Sequence, residues 1–305
     1  MTQSFSGLWP VMLTAFEEDG SLDLPGVDAL VDFYLEGGSG GLFAVCQSSE
    51  MYELNDDERL TLAARVVARV AGAVPVVATA TFGNALDGQA AFVRRMADAG
   101  VSAVVLLPNQ LCAAEEDEAT LWPRLEHMIE ATDPVPLGLY ECPLPYHRVL
   151  SPQLVSRLAN TGRFRYIKDT SRDPACIGPK VEAVRGSGLA LFNAAPASAL
   201  ASLRLGAAGL SPVAANLYPD LFCWLCDNKD DPRAEWLQAR LSMFEAGVRP
   251  HYPQSAKRFL ATRVGLPIGL RTRVQESDWN GYDQSVQDAM VAMLGDVRAR
   301  LGATR

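Results

Sequence analysis

Positive charge is scarce in this chain. Its 27 lysines and arginines are outnumbered by 36 aspartates and glutamates, for a formal net charge of -9. No basic footprint is available for a phosphate backbone, which excludes nucleic acid as a partner. Only three histidines are present, His127, His147 and His251. They do not form a ligand set for a metal ion. No apolar run approaches the roughly 18 residues that a membrane span needs, so no membrane partner is expected either. The six cysteines (Cys46, Cys112, Cys142, Cys176, Cys223 and Cys226) are scattered, mostly through apolar contexts. The opening Met1-Thr2-Gln3-Ser4-Phe5-Ser6-Gly7 lacks a basic segment followed by an apolar one, and reduced thiols in the cytoplasm are the simplest expectation. Cys223-Trp224-Leu225-Cys226 has the spacing of a zinc or redox half-site, but no second pair accompanies it and it reads as part of an apolar helix.

What the chain does have is apolar residues, 49% of the total, and they are arranged periodically. Short β-rich runs alternate with amphipathic helical segments through about three quarters of the sequence, the signature of repeated βα units. The runs are eight: Leu8 to Thr14, Gly41 to Val45, Val74 to Ala80, Ala103 to Leu107, Val135 to Tyr140, Phe164 to Lys168, Leu189 to Phe192 and Gly209 to Ala214. Between them, Asp56 to Val70 and Gln89 to Ala99 carry helical spacing, and Asn55 and Ser151-Pro152 are helix starts. The acidic run Glu115 to Glu118 reads as the start of another helix. No Gly-x-Gly-x-x-Gly opens the first helix, so a closed (β/α)₈ barrel over 1–228 is predicted in preference to an open doubly wound sheet. The remainder, 229–305, reads as a helical extension packed on the barrel. Its helices are Arg233 to Ala246, Ser255 to Val264 and Tyr282 to Arg300, the last with Val286, Ala289, Met290 and Met293 on one stripe.

In such a barrel the chemistry sits at the C-terminal ends of the strands. Lys168 ends the sixth run, where a buried ammonium loses hydration, its pKa falls, and the neutral amine can condense with a carbonyl. A strand-end lysine can also simply snorkel to solvent. Tyr140 ends the fifth run, on a strand expected about 4.8 Å away, so a phenol can stand beside the amine and pass protons during imine chemistry. Ser48 and Ser49 follow the second run, where hydroxyls and amides in a tight turn can bind a carboxylate or merely cap the next helix. A 2-oxo acid would satisfy both features.

Several stretches together resemble the dihydrodipicolinate synthase and N-acetylneuraminate lyase family of class I, Schiff-base aldolases. They are Tyr166-Ile167-Lys168-Asp169-Thr170-Ser171, Tyr140 28 residues before Lys168, the Ser48-Ser49-Glu50 turn, Val74 to Ala78, and Gly206 to Asn216. The resemblance implies a (β/α)₈ barrel with a helical C-terminal extension, a homo-oligomer (dimer or tetramer) and no cofactor. It makes Lys168 the imine-forming lysine and Tyr140 the proton shuttle. Ser48 and Ser49 become carboxylate binders, and Ser211 and Gln47 join the substrate-binding set. The chain departs from the family at informative places. Gln47 stands where a relay hydroxyl is usual, Pro108-Asn109-Gln110 replaces Pro-Tyr-Tyr, Tyr140-Glu141-Cys142-Pro143 replaces Tyr-Asn-x-Pro, and Pro145 stands where the synthases place an arginine. Authentic dihydrodipicolinate synthesis is therefore not expected. His147 and Arg148 are candidates to bind a distal carboxylate or hydroxyl. The reading is a lyase, an aldolase or a dehydratase, acting on a 2-oxo acid such as a 2-keto-3-deoxy sugar acid, or on pyruvate plus an aldehyde. The rival readings are a non-catalytic 2-oxo-acid-binding barrel that has lost the relay and, more weakly, a metal-dependent aldolase on the same fold.

Overall fold

The computed structural model describes residues 4–83, 85–274 and 278–302. Eight strands alternate with helices: β1 Gly7–Leu8, β2 Leu42–Val45, β3 Val76–Thr79, β4 Ala103–Leu106, β5 Leu137–Tyr140, β6 Phe164–Asp169, β7 Ala190–Asn193 and β8 Gly209–Leu210. All pairings are parallel, in the order β1-β8-β7-β6-β5-β4-β3-β2. The two ends of that order meet. Val11 bridges Phe43, the Gly40 amide donates to the Leu8 carbonyl at 2.9 Å, and the Phe43 amide donates to the Pro10 carbonyl at 3.0 Å. A parallel sheet closed on itself in this way is the (β/α)₈ barrel that the alternation of runs predicted.

The first and last strands are shorter than expected, for the same reason. Pro10 and Pro212 have no N–H to give a ladder, so pairing breaks at each. The chain after β8 becomes a 3₁₀ turn at Val213–Asn216 instead of continuing as strand. Helix starts follow the capping residues. Asn55 accepts from the Glu58 amide at 3.0 Å while the Glu58 carboxylate accepts from the Asn55 amide at 2.9 Å, and Asp56–Val70 follows. The Ser151 hydroxyl likewise caps Pro152–Asn160. The acidic run lies just ahead of its helix, which begins at Glu118 behind an Asp117 cap.

The barrel is filled, as a barrel of this size must be. Trp9, Phe43, Tyr166 and Phe192 converge inside it, with ring centroids 4.9 to 5.7 Å apart. This aromatic layer forms the floor under the strand ends.

After Pro219–Asp227 come helices Ala234–Val248 and Gln254–Phe259, the latter running into a π turn at Leu260–Val264, and then Gly281–Leu301. The last helix buries Gln287, Met290, Leu294, Val297 and Leu301. The expected stripe is corrected here: it shares only Met290 with the buried face, and Met293 is 48% exposed. A polar residue hid the true stripe, because Gln287 is buried with its amide donating to the Ser255 carbonyl at 2.7 Å. This extension is tied into the barrel by charge. Lys257 Nζ donates to Glu50 Oε1 at 2.7 Å and to the Arg271 carbonyl at 2.6 Å, and Glu50 Oε2 accepts from the amides of Arg273 and Val274. Both side chains of the pair are wholly buried.

Gly209 marks the tightest approach in the closure. A Cβ there would lie 1.9 Å from the Gly7 carbonyl oxygen and 2.8 Å from the Phe192 ring. Gly209→Ala is expected to lose about 2–3 kcal/mol or more in chemical denaturation, because the obstructing atom is backbone and cannot swing aside. A loss below about 0.5 kcal/mol would show that β1 and β8 do not meet as described.

Candidate active site

β5 and β6 place the two principal side chains side by side, since Tyr140 and Lys168 are register partners. Alternation along β6 sends Tyr166 and Lys168 into the barrel while Ile167 and Asp169 point out. Lys168 is 3% exposed, and its Nζ stands 4.5 Å from the centre of the Tyr140 ring and 5.9 Å from that of Phe43. Desolvation pushes its pKa down to about 8, with only weak opposition from the thiols of Cys46 and Cys142. At pH 7 roughly a tenth of such an amine is neutral, against well under a thousandth for an unperturbed lysine. The alternative of a lysine reaching into solvent is not what the fold provides.

Tyr140 is buried, and its phenol is held well above the ordinary tyrosine range by that burial. Its hydroxyl donates to Gln47 Oε1 at a long 3.4 Å. The residue that replaces a relay hydroxyl therefore meets the phenol as an acceptor. An amide in that place orients the phenol but does not pass its proton onward. Tyr166 sits one layer deeper, its hydroxyl 3.3 Å from Ser211 Oγ, and Ser211 in turn donates to the Trp9 carbonyl at 2.8 Å.

The turn after β2 divides its two serines. Residues Gln47–Ser49 form a 3₁₀ turn, closed by Glu50 in the left-handed region at φ 60°. Ser49 Oγ accepts from the Cys46 amide and donates to the Cys46 carbonyl, both at 2.7 Å. That hydroxyl is spent on the turn. Ser48 faces the cavity, beside the Tyr252 phenol.

Around these groups opens a cavity of about 890 Å³. Gln47, Ser48, Tyr140 and Lys168 line it, together with His147, Thr170, Arg172 and Arg249. His147 Nε2 is 2.8 Å from Thr170 Oγ1, and burial together with the nearby Arg172 and Lys180 charges lowers its pKa. Arg148, paired with His147 in the sequence reading, is not brought into the cavity. Its guanidinium donates to the carbonyls of Ala113 at 2.6 Å and Glu116 at 2.7 Å, because neighbouring residues of an extended loop point to opposite sides. Ser211 and Ser49 also lie outside the lining, in the roles just described. Asn109, where the family has a tyrosine, has its side-chain amide 2.7 Å from the carbonyls of Cys142, Leu144 and Tyr146. It pegs the loop after β5 in place.

Tyr252 and Arg172 line the cavity and were missed from sequence. Tyr252 arrives from the C-terminal extension, with Asn216 Nδ2 donating to its hydroxyl at 2.9 Å. Asn216 also accepts from Tyr34 at 2.5 Å and donates to the Val11 carbonyl at 2.8 Å. Arg172 sits at φ 61° directly after the strand-end motif. Among the described residues no group of three or more His, Cys, Asp or Glu could hold a metal ion, and no helix is long and apolar enough to cross a membrane. Burial raises both thiols of the Cys223/Cys226 pair, the second to about 12.

A family model described as the dihydrodipicolinate synthetase family matches residues 4–274. A 4-hydroxy-tetrahydrodipicolinate synthase of Xanthomonas axonopodis pv. citri is 32% identical over 280 residues, 88% of each chain. A probable 5-dehydro-4-deoxyglucarate dehydratase of Streptomyces avermitilis is 36% identical over 152 residues, 50% of this chain and 44% of that one. Among solved structures, a prophage protein of the dihydrodipicolinic acid synthase family from E. coli K12, in complex with pyruvate, superposes with a TM-score of 0.85 at 23% identity. That match covers 95% of this chain and 99% of the other.

Removal of the Ser49 hydroxyl leaves the buried Cys46 amide without its acceptor. Ser49→Ala is expected to cost about 1–3 kcal/mol in denaturant unfolding, the penalty for an orphaned buried donor. No change in the unfolding midpoint would return Ser49 to the set of groups free for a ligand.

Proposed function

The chain belongs to the dihydrodipicolinate synthetase family and is an enzyme of its lyase type, and we propose that it forms a Schiff base between Lys168 and a 2-oxo acid. The observation that carries this is the Lys168 amine, buried and depressed to about 8, in register with Tyr140 and open to the cavity. The neutral amine adds to the ketone to give a carbinolamine, which loses water to become a protonated imine. Tyr140, the register partner whose ring centre stands 4.5 Å from the amine, gives and takes the protons of those steps. The imine then accepts electrons from a breaking C–C bond or assists loss of a hydroxyl. Ser48 is the candidate for the substrate carboxylate, since Ser49 is occupied.

For the substrate we favour 2-keto-3-deoxy sugar acids over authentic dihydrodipicolinate synthesis. Pro145 stands where the synthases place an arginine, and Asn109 holds a loop where they place a tyrosine. The Streptomyces relative, by its name a dehydratase of a deoxy keto sugar acid, supports the same class. A homo-oligomeric, cytoplasmic enzyme working without a cofactor belongs to this reading.

Borohydride added with pyruvate is expected to leave a reduced three-carbon adduct on Lys168, located by peptide mass spectrometry. Lys168→Ala should give none, and Tyr140→Phe should slow trapping by roughly 10²- to 10⁴-fold. The wild-type rate should climb from pH 6 and level off above about pH 8, because the neutral amine is the nucleophile and its fraction grows as pH rises through its pKa. Trapping at another lysine, or none with pyruvate or longer 2-oxo acids, would contradict the proposal. Pyruvate release and 2,5-dioxo product, scored separately over a panel of 2-keto-3-deoxy acids, distinguish cleavage from dehydration.

A further inference from the structure

Each of the two central side chains is followed directly by a carboxylate: Glu141 after Tyr140 and Asp169 after Lys168. Where Tyr140 and Lys168 turn into the barrel, alternation turns Glu141 and Asp169 outward. They meet on one cation. Lys180, in the helix Pro174–Val184, donates from Nζ to Glu141 Oε1 at 2.5 Å and to Asp169 Oδ2 at 2.7 Å. The side chains of the triad are 1% exposed at Lys180 and 0% at both carboxylates.

Every oxygen of the two carboxylates has a donor. Glu141 Oε1 also accepts from the Leu150 amide and Oε2 from the Thr170 amide, both at 2.9 Å. Asp169 Oδ1 accepts from the Ser171 amide at 3.0 Å and the Ser171 hydroxyl at 2.7 Å. The Glu141 backbone completes the link, its amide donating to the Lys168 carbonyl at 3.2 Å and its carbonyl accepting from Thr170 Oγ1 at 2.5 Å.

Two carboxylates and one ammonium in a dry interior are no gain over apolar packing of the same volume. Burial and the Asp169 charge hold Glu141 above the ordinary carboxylate range, while Lys180 is raised by its two partners. Stability alone does not account for such a cluster, and its place in the fold suggests another role. We propose that Glu141, Lys180 and Asp169 are positioning residues: a buried charge clamp that locks the end of β5 to the end of β6 and so fixes the Tyr140 phenol against the Lys168 amine. None of the three touches the reacting atoms. The clamp acts by preventing the small displacements of a proton-transfer group that cost enzymes up to about a hundredfold in rate. Its effect on rate rests on the imine reading, whereas its effect on the environment of Lys168 does not.

Two readouts on Lys180→Met separate these. The first is the pH midpoint for acylation of Lys168 by a neutral reagent, scored by peptide mass spectrometry without any substrate. A loosened strand end admits water, so the midpoint should rise from near 8 toward the ordinary lysine value. The second is the borohydride trapping rate at saturating pyruvate, which should fall roughly ten- to a hundredfold. The pyruvate concentration for half-saturation should move less than about threefold, since Ser48 lies on another strand end. Lys180→Arg, which keeps the positive charge and can donate to both carboxylates but not in the same geometry, should recover part of both signals. If Lys180→Met does not fold, Glu141→Asp, which keeps the charge but shortens one arm by a methylene, takes its place with the same signs. A folded Lys180→Met with wild-type midpoint and wild-type trapping would overturn the clamp, as would a rate loss equal to the fraction unfolded. An unchanged midpoint would overturn it even if no adduct formed in any variant. A shifted midpoint with no adduct in the wild type would sink the imine reading and leave the clamp standing.

Discussion

The removal of water from one ammonium group is the constraint on which this molecule turns. Among the described residues no carboxylate forms an ion pair with Lys168. Around its Nζ are the faces of Tyr140 and Phe43 and the thiols of Cys46 and Cys142. Aromatic faces attract a cation weakly and do not replace its hydration shell. The neutral form gains by comparison, and its share rises near neutral pH without a neighbouring base to generate it. The aromatic floor of Trp9, Tyr166 and Phe192 serves the same end by closing the barrel beneath.

Charged groups are kept out of that interior, and they are used just outside it. Among the described residues, two wholly buried ion-pair clusters flank the site: Glu141/Lys180/Asp169, whose carboxylates directly follow Tyr140 and Lys168, and Glu50/Lys257, whose Glu50 itself lines the cavity. The first joins neighbouring strand ends. The second draws the chain around Arg271 to Val274 onto the turn that presents Gln47 and Ser48. Glu50 carries this burden at a left-handed backbone position, so its placement depends on the buried pair as much as the pair depends on it. The C-terminal extension is thereby part of the site, contributing Tyr252 through the Asn216 network.

Much of this was legible in the sequence, for physical reasons. All eight βα units could be read because parallel strands buried on both faces are continuous apolar runs and amphipathic helices are not. Lys168 and Tyr140 could be read because strand ends at one face of a barrel must be neighbours. The places where the reading fell short are those where local rules do not decide. Pro10 and Pro212 cut two strands that composition alone would extend. Ser49 and Ser48 look alike in sequence, and only the backbone of the turn reveals that one hydroxyl is consumed by Cys46. Arg148 was placed beside His147 by adjacency, but the loop turns it onto the carbonyls of Ala113 and Glu116. Gln287 broke an apolar stripe by being polar, and Lys180, in the helix that follows the strand-end motif, carried no signal that two carboxylates 28 residues apart would converge on it.

The central claim is that Lys168 is neutral at a pH where other lysines are charged. The chain contains four lysines, Lys168, Lys180, Lys229 and Lys257, so a side-chain NMR titration of lysine labelled with ¹³C at Cε resolves them individually. The account predicts one resonance that titrates with a midpoint near pH 8 and disappears in Lys168→Arg. A Lys168 resonance that stays in its charged position up to pH 10 would contradict it.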